Sequence, residues 1–445
     1  MNRLFWCGIP LLLACSTSDS TSSADASTRS GSAWRNVPSA VVVYEGRTTD
    51  VPLDVDSSAS IEPTAAGNLE VEVLPGLLRI RAGYGLDDAS IEVVVVSGAE
   101  RETIPLPLEK HALSWRRSAW TDQGPQAREH AVFAYDATEN AAYMLQGSGY
   151  APQWKPIEDS WRLDVSKGAW TPWTPRGDVP PAGGGRRLVQ GRDGTAFVLG
   201  GYVGWDDAKG DTTGTDENLY RLSGGVFTRL RNVGTTASGR QLHAMGYDAE
   251  GDQLVVYGGF TDTPRAAILD DTWLVAIAGD EAKWSEVRSA KAPEARYGAF
   301  SAFDREARRF FVWSGARIPT DAKDPVNAAD DAWALDLGAS PPAWSRLSPE
   351  GTAPPGRRNG CAMHDPVGRR LFVFGGTADA RTSEKGLFVL SLEPGHERWS
   401  RLDLPDAPAV RSSGFGFTTS DGQMACGFGN GDDAYTDLNF LGYFD

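Results

Sequence analysis

Two stretches of the sequence place aromatic side chains beside carboxylates. The first holds Tyr150 and Trp154, and the second, "YVGWDDAKGD", holds Tyr202 and Trp205. The second stretch also carries Asp206, Asp207 and Asp211. Aromatic rings stack on flat apolar surfaces and carboxylates accept hydrogen bonds beside them, so this combination suits a sugar or a protein hot spot. The alternative is that the rings only pack their own loops onto the protein.

A second signal is an arginine that recurs at nearly even spacing. The six positions are Arg128, Arg186, Arg240, Arg296, Arg357 and Arg411. A ring of cations at the mouth of a channel would attract an anion, which makes these residues candidate site residues. The favoured interpretation is structural, because a residue that recurs with a repeat serves every copy of it. Each arginine then pairs with an acid of a neighbouring loop, such as Asp271 or Asp331, and so holds neighbouring repeats together.

Metal and nucleophile chemistry have little support in the sequence. It contains five histidines, and His130 and His243 follow their opening arginines by two and three residues. On equivalent strands these two would face opposite sides and would not converge on a metal. No HExxH spacing and no Ser, His and Asp set is recognisable. We therefore expect no metal and no cofactor, with calcium in the acidic loop 204–217 as an open alternative.

The charge of the chain excludes some partners. Across 445 residues, 59 acidic side chains outnumber 43 basic ones. A chain with this excess is repelled by nucleic acid and by anionic lipid, so neither is an expected partner. We expect packed cores, since 41% of the residues are hydrophobic. We also expect a monomer.

The N-terminal stretch predicts export and lipidation. Arg3 precedes an apolar run from Leu4 to Leu13, which is shorter than the roughly 20 residues that cross a bilayer. The ending "LLAC" resembles the bacterial lipobox, which implies that Cys15 is diacylated. Residues 1–15 are thus predicted to be a lipoprotein signal peptide, and the Ser- and Thr-rich residues 16–33 a flexible tether. The expected location is the bacterial cell envelope, periplasmic or surface-exposed, with the lipid as the only membrane attachment; a plain secretory signal is the alternative.

Residues 34–110 alternate apolar and polar side chains in short runs closed by Gly, Pro or Asp, as in "LEVEVLPG" and "SIEVVVVSG". Period-two alternation with turns at this spacing predicts a small antiparallel β-domain. The pattern resembles bacterial immunoglobulin-like modules, which implies a small β-sandwich that serves as a spacer.

The sequence from Trp115 to Asp445 repeats with a period of about 54 to 61 residues. After each opening arginine come a strand-like run, a tight turn and a second apolar run ending in small residues, as in "FVLGG", "VVYGG" and "LFVFGG". A third strand with an aromatic residue follows, and then a fourth. The pattern predicts four-stranded sheets.

These residues resemble the kelch repeat, with glycine doublets such as Gly258 and Gly259 and later aromatic residues such as Trp273 and Trp333. The resemblance implies an all-β fold for residues 111–445, a six-bladed kelch-type β-propeller with four strands in each blade. Kelch-type galactose oxidases have a similar fold pattern, but the histidines here do not match their copper site.

The ends of the repeat region predict how the ring closes. A fourth-strand aromatic follows an opening arginine five times, and the sixth, Trp115, lies 13 residues before Arg128. Phe227 precedes Arg240 and Trp344 precedes Arg357 by the same interval. We therefore expect an N-terminal strand at Trp115 to complete the last blade, which also removes an exposed sheet edge.

Propeller topology would place the long loops between second and third strands on one face, and the two aromatic stretches side by side. We expect a binding or scaffold protein that uses this face to bind an envelope protein or a glycan. One alternative is a carbohydrate-active enzyme, a sugar oxidase or a mutarotase-like isomerase, with its site at the channel mouth. A purely structural envelope protein is the other alternative.

Two cysteines, Cys361 and Cys426, remain beyond the leader. Two cysteines in a large chain do not make a disulfide framework. Two small buried side chains are the favoured interpretation, and a disulfide between them is the alternative.

Overall fold

The chain divides into two compact units, Met1–Ala112 and Leu113–Asp445. The computed structural model describes residues 33–118, 124–150, 155–262, 266–317, 328–378, 385–431 and 435–444. Over these ranges the regular structure is entirely β, and no helix is long and apolar enough to cross a membrane.

Unit 1 contains a parallel strand pair and two antiparallel three-stranded sheets. Its strands are β1 (Val41–Tyr44), β2 (Thr48–Pro52), β3 (Ser60–Ala66), β4 (Leu69–Leu74), β5 (Leu77–Ala82), β6 (Ser90–Ser97), β7 (Glu100–Leu106) and β8 (Leu108–His111). β1 pairs with β8, and the two sheets have the orders β2-β5-β4 and β3-β6-β7. Alternate residues of both sheets, such as Ile80 and Val93, share one buried cluster with Trp34. This burial explains the period of two in the sequence.

Unit 2 consists of six repeats, 128–182, 183–239, 240–295, 296–356, 357–410 and 411–444. The strands up to repeat 3 are β9 (Leu113–Arg117), β10 (Val132–Asp136), β11 (Ala141–Leu145), β12 (Ser160–Asp164), β13 (Ala169–Trp173), β14 (Arg176–Gly177), β15 (Gly183–Gly184), β16 (Arg187–Gln190), β17 (Ala196–Leu199), β18 (Tyr202–Val203), β19 (Gly214–Thr215), β20 (Leu219–Ser223), β21 (Val226–Arg229), β22 (Arg231–Val233), β23 (Ala244–Asp248), β24 (Gln253–Thr261), β25 (Ala267–Ala278) and β26 (Glu281–Glu286). The later strands are β27 (Phe300–Asp304), β28 (Arg309–Trp313), β29 (Ala332–Asp336), β30 (Ala343–Leu347), β31 (Cys361–Asp365), β32 (Arg370–Phe374), β33 (Leu387–Ser391), β34 (Trp399–Leu402), β35 (Met424–Gly427) and β36 (Leu438–Tyr443).

Most repeats form one antiparallel sheet of four strands in chain order, such as β10-β11-β12-β13 and β27-β28-β29-β30. In repeats 2 and 3 the preceding connector adds a short parallel strand at the outer edge, β14 on β21 and β22 on β26. In repeats 1 to 5 the second strand lies inside the sheet, and its apolar run is buried, as in Arg370–Phe374. These runs are the ones that end in small residues in the sequence. In repeat 6 the strand order is β35-β36-β9, so the second strand, β35, is at the edge.

A closed ring of backbone hydrogen bonds joins the six repeats on the inner side. The ring residues are His130, Gly185, Leu242, Gly298, Asn359 and Ser413. Each N–H donates to the carbonyl of the ring residue in the preceding repeat, and His130 donates to Ser413, over distances of 2.5–3.4 Å. All six have positive φ, between 52° and 70°. This left-handed backbone is unusual for Leu or His and is held here by the ring.

A second closed ring runs through the small residues that end the second strands. The donors are the N–H groups of Gly147, Gly201, Gly259, Gly315, Gly376 and Gly429. Each donates to the carbonyl of the residue that opens the next repeat, and Gly429 of repeat 6 donates to Arg128 at 3.0 Å. At Gly201 a Cβ would lie 2.7 Å from the Gly184 carbonyl oxygen, so the position requires glycine.

Apolar cores fill the spaces between neighbouring repeats. Val132 of repeat 1 and Phe227 of repeat 2 share one cluster, and Phe311 of repeat 4 and Leu371 of repeat 5 share another. At the junction of repeats 6 and 1, Phe133 lies 5.2 Å, centroid to centroid, from both Phe415 and Phe417. Each sheet therefore buries both faces against its neighbours.

The strand at Trp115 completes the sheet of repeat 6, as predicted from the sequence. β9 pairs antiparallel with β36, and Leu441 lies opposite Trp115. The Trp115 ring is 6% exposed and packs 5.3 Å from Phe374 of repeat 5. The two ends of unit 2 are thus joined in one sheet.

Cys361 and Cys426 form a disulfide, so the favoured sequence interpretation of two unpaired thiols is wrong. Cys361 begins β31 of repeat 5 and Cys426 lies in β35 of repeat 6, and both are fully buried. The chain separation of 65 residues hid the proximity that sheet packing creates.

Replacing Trp115 with alanine is predicted to lower the free energy of unfolding of unit 2 by about 3–5 kcal/mol, because it leaves a cavity at the closing strand. Urea denaturation of the variant and the wild type measures the change. Lys167→Ala, whose side chain is 75% exposed, is the control, with an expected change within about 0.5 kcal/mol. A Trp115→Ala variant as stable as this control would contradict the role of β9.

Candidate functional site at the loop face

The six recurring arginines are buried, with exposures of 0–2%. In four repeats the guanidinium pairs with an aspartate of its own repeat; the pairs are Arg128–Asp159, Arg240–Asp271, Arg296–Asp331 and Arg411–Asp437. Arg240 is bidentate, with N–O distances of 2.7 and 2.8 Å. The predicted pairing with Asp271 and Asp331 is therefore correct, and the acids come from the same repeat rather than from a neighbouring one.

Each of these aspartates also accepts a hydrogen bond from the side chain two residues further along the chain. Trp161, Trp273 and Trp333 donate their indole N–H to Asp159, Asp271 and Asp331 over 2.7–2.9 Å. In repeat 6 Asn439 donates to Asp437 instead. In the sequence this arrangement appears as Asp-x-Trp or Asp-x-Asn. Sequence analysis did not identify Asp159, Asp216 or Asp437 as partners of the arginines from this pattern.

The aspartates remain ionised in this network. Burial is the largest influence on Asp271 and opposes its ionisation, but the hydrogen bonds and charge of Arg240 and the hydrogen bond from Trp273 together outweigh burial, so the pKa is lowered. The same balance lowers the pKa of Asp331 and of Asp437. A buried charged pair of this kind is strongly destabilising to break, since one ion is left uncompensated.

In repeat 2 the arginine does not occupy the opening position that the sequence repeat predicted. Its opening residue is Gly183, whose carbonyl accepts from Gly147 where the other repeats use their arginine. Arg186 lies three residues later, and a Cβ on Gly183 would lie 3.0 Å from its Nη1. The guanidinium thus reaches back beside the opening position and donates to Gln146 at 3.2 Å. Asp216 of the same repeat acts on Arg186 electrostatically.

The proposed role of these arginines at a channel mouth is therefore corrected. Arg357 also directs its guanidinium inward, 5.4 Å from the Phe388 ring, and donates to the Gly375 carbonyl. Side chains that are at most 2% exposed and hydrogen-bonded to protein groups around them offer no surface to a dissolved anion.

The loops that follow the second strands start at one end of the six sheets, because the closed glycine ring holds all these strand ends together. We call this side the loop face. In repeat 2 the loop is a hairpin, in which β18 pairs with β15 and β19. In repeat 3 the long strands β24 and β25 continue into the loop as far as the pair Thr261 and Ala267.

Tyr202 is buried rather than presented to a ligand, contrary to the sequence prediction. It is 5% exposed, and its hydroxyl donates to Ser148 of repeat 1. A Cβ on Gly184 would overlap its phenol ring. Burial raises the pKa of Tyr202 well above its ordinary value. Tyr202 therefore anchors the repeat-2 hairpin on repeat 1.

Tyr150 is partly exposed and lines a cleft on repeat 1. The cleft has a volume of about 630 Å³, and its other lining residues include Ala127, Lys155, Ile157 and Glu158. The Tyr150 hydroxyl donates to the Gly429 carbonyl of repeat 6 at 3.2 Å, which fixes the ring. The cleft offers one aromatic ring, aliphatic walls and both signs of charge.

The tip of the repeat-2 hairpin carries the other predicted residues. Trp205 is partly exposed and donates its indole N–H to Asp207 at 2.9 Å. Asp206 pairs with Lys209 at 3.0 Å and accepts backbone bonds from Ala208 and Lys209, and the side-chain bond from Lys209 lowers its pKa. The Asp206 carboxylate thus stabilises the turn.

The loops of repeats 1 and 2 meet where Lys155 Nζ lies 3.8 Å from Asp207. Asp211 is exposed and acts across the face on Asp262 of repeat 3, whose pKa is raised by burial and by this like charge. Trp154 and Cys15 lie outside the described residues. Within the described ranges, no group of three or more His, Cys, Asp or Glu is arranged to hold a metal ion.

The centre of the loop face has a different character. The His130 ring is 11% exposed and sits edge-on to Tyr202 at 6.3 Å. Burial, with the charges of Arg187 and Arg358, lowers the pKa of His130 to about 3. Arg358 lies over the Tyr297 ring at 5.1 Å. The described centre thus holds two arginines and the buried Glu129 carboxylate, which lies 3.8 Å from a histidine that is neutral at pH 7. Sequence analysis did not identify Arg187 or Arg358.

Asp271→Asn is predicted to cost about 3–5 kcal/mol of folding free energy at pH 7, because Arg240 stays buried and charged without its partner. Urea denaturation measures the loss. The matched control is Asp280→Asn. Asp280 is 68% exposed and pairs with Arg221 at the surface, so we expect this replacement to cost less than about 1 kcal/mol of folding free energy. Equal effects would contradict the stated role of the buried pair.

Stability is also predicted to fall between pH 7 and pH 5 through His130. In the unfolded chain His130 takes up a proton below about pH 6.5, whereas in the folded protein its pKa is about 3 and it stays neutral. The free energy of unfolding is therefore lower by about 2 kcal/mol at pH 5 than at pH 7. His130→Asn should reduce this loss, and Asn359 shows that asparagine suits the ring position. Urea denaturation at both pH values tests it; identical pH dependence in wild type and variant would contradict the prediction.

Comparisons with known proteins agree on the type of repeat. The family model described as the KLHDC2/KLHL20/DRC7 Kelch-repeats domain matches residues 247–445. Putative adagio-like protein 2 of Oryza sativa subsp. japonica is 26% identical over 310 residues, which are 67% of this chain and 46% of that protein. Adagio protein 3 of Arabidopsis thaliana is 31% identical over 166 residues, 36% of this chain and 25% of that protein. The chain thus spans less than half the length of these curated relatives.

A solved structure titled "Structure of YjhT" superposes with a TM-score of 0.51 at 14% identity, covering 72% of this chain and 95% of that one. A likeness at this identity concerns the fold alone. The matched family model, the relatives and the recurring four-stranded sheets together support a kelch-repeat protein.

Proposed function

We propose that this protein is an extracytoplasmic scaffold, anchored by a lipid on Cys15, that binds a protein partner through the loop face. Unit 2 acts as a six-bladed propeller, and unit 1 as an immunoglobulin-like β-sandwich spacer between anchor and propeller. The two closed hydrogen-bond rings support the six-bladed form. The disulfide supports an oxidising compartment outside the cytoplasm.

The observation that carries the binding role is the cleft at Tyr150, which opens next to the exposed hairpin tip of repeat 2. An aromatic ring with aliphatic neighbours and a polar rim is the usual composition of a protein hot spot. Trp205 adds a second aromatic ring at the tip. The rings of the two loops are held by hydrogen bonds to Gly429 and Asp207, so little conformational entropy is lost on binding.

The charge of the face favours a partner that presents basic groups. The described parts of 148–159, 202–218 and 261–271 carry ten Asp or Glu and two Lys. Three of these acids, Asp159, Asp216 and Asp271, serve the buried arginines. The others leave the rim of repeats 1 to 3 negative, and the charge of Asp211 already opposes ionisation of Asp262. A lysine or arginine of a partner would relieve this repulsion.

Reversing charge on the rim is predicted to remove binding. The test uses soluble protein from Ala33 onward to capture partners from envelope extract, in the wild type and in Asp207→Lys with Asp211→Lys. The matched control is Glu250→Lys with Glu306→Lys, which makes the same charge change at two side chains that are each 70% exposed in the turns at the opposite end of the sheets. We expect capture by the wild type and the control, at least about tenfold less by the rim variant, and weakening at higher salt.

The aromatic contribution is measured in the same assay with Tyr150→Ala and Trp205→Ala together. Equal capture by the rim, aromatic and control variants would contradict the loop face as the binding surface. Captured material that survives proteinase treatment and contains sugar would identify a glycan partner and overturn the protein-binding proposal.

A further inference from the structure

The disulfide lies at a particular junction of the ring. It joins the first residue of β31 in repeat 5 to the second strand of repeat 6, with 6.0 Å between the Cα atoms. Both cysteines are 0% exposed. Repeat 6 is also the repeat completed by β9 from the other end of unit 2. Among the described sheets of unit 2, the covalent bond therefore attaches the one that is assembled from the two ends of the unit.

Repeat 6 has the least regular inner ladder among the described repeats. Its inner segment meets the second strand in the isolated bridges Phe415–Gly427 and Thr418–Met424, and the Ala425 N–H donates to the Phe417 carbonyl between them. The inner strands of the other five repeats pair over four or five consecutive residues. Gly416 approaches Ala425 so closely that a Cβ would lie 1.8 Å from its carbonyl oxygen. Because this ladder lacks the continuous register of the other five, we expect local opening to begin in this sheet.

Among the described residues, the hydrogen bonds between repeats 5 and 6 include one in the glycine ring, where Gly376 donates to the Arg411 carbonyl. Thr418 donates to the His364 carbonyl at 2.7 Å, and Arg370 donates to the Tyr443 hydroxyl at 2.7 Å. The Ser413 N–H donates to Asn359 in the inner ring. The disulfide is the strongest of these links, and it does not depend on the pairing of β9.

We propose that the Cys361–Cys426 disulfide is a redox latch on ring closure. When it is oxidised, repeat 6 stays on repeat 5 even if β9 detaches for a moment, so the sheet closes again quickly. When it is reduced, repeat 6 and β9 open as one local unit while repeats 2 to 4 stay folded. This inference goes beyond the proposed binding role and does not depend on it.

The latch is released by thiol–disulfide exchange with a dithiol. A thiolate attacks one sulfur, the S–S bond breaks, and the dithiol is oxidised to its cyclic disulfide. Both cysteine sulfurs take up a proton and end as thiols, so two electrons and two protons pass to the protein. Because both sulfurs are buried, attack requires prior opening, and the closed ring resists the reductant. Reduction is therefore limited by opening at this junction.

Hydrogen exchange with mass spectrometry on the full chain tests the latch. The samples are oxidised wild type, wild type held in a dithiol, and Cys361→Ala with Cys426→Ala. We expect amides of β35, β36 and β9 to exchange at least about tenfold faster in the reduced protein and in the double variant, with β16 to β30 changed by less than about twofold. The dithiol-treated wild type keeps the test valid if the double variant fails to fold.

Val255→Ala is the matched control for lost packing, because Val255 is equally buried in the cluster that repeats 3 and 4 share. Its faster exchange should centre on repeats 3 and 4 and leave β9 unchanged. A uniform acceleration across all repeats after reduction would overturn the latch and leave the disulfide as a general stabiliser. Two free thiols in protein purified from its source without reductant would also overturn it.

Discussion

The inner ring of six backbone hydrogen bonds is the constraint on which the rest of unit 2 depends. Each ring residue donates to one neighbour and accepts from the other, so no position can move without breaking two bonds. Left-handed backbone at Leu242, His130 and Ser413 costs free energy that a single repeat could not recover. The cost is fully offset only where both neighbouring repeats supply their ring hydrogen bonds. This makes closure a cooperative property, and it explains why a strand from the other end of the chain is needed in repeat 6.

The buried ion pairs follow from this geometry. The opening position places a side chain under the loop face, where a long cation can reach the carbonyl of the second strand and the aspartate before the third. Arg240 does both, with bonds to Gly258 and to Asp271. Each pair ties three segments of one repeat together before neighbouring repeats pack on it. Charge in such a place requires its partner, and the exposed loops are therefore not free to supply those aspartates to a ligand.

Much of this architecture could be predicted from the sequence, because a repeat reveals itself by spacing. The doublets, the closing strand at Trp115 and the pairing of Arg240 with Asp271 are all visible as periodic residues. What spacing cannot show is the path of a side chain. Arg186 appears in the right place for an opening residue, yet it lies three positions after Gly183 and reaches back to the same region. Tyr202 looks like a surface aromatic, and only the two glycines beneath it reveal that its ring is buried. The disulfide was missed for a related reason, since its cysteines occupy different strands of neighbouring repeats and no local motif connects them.

The loop face combines a negative rim with a cationic centre, and this contrast limits how a partner can dock. Arg187 and Arg358 lie near the ring, where burial lowers the pKa of Arg187 to about 10 and still leaves it charged at pH 7. The rim carboxylates lie outward on the loops, whereas near the ring the two arginines outnumber the single carboxylate of Glu129. A basic segment is attracted to the rim and repelled from the centre, so it would lie across the loops of repeats 1 to 3 instead of entering the middle of the face. The hydrogen-bond rings fix the arginines near the centre and the loops further out. They thereby determine where a partner of the proposed site would lie on the loop face.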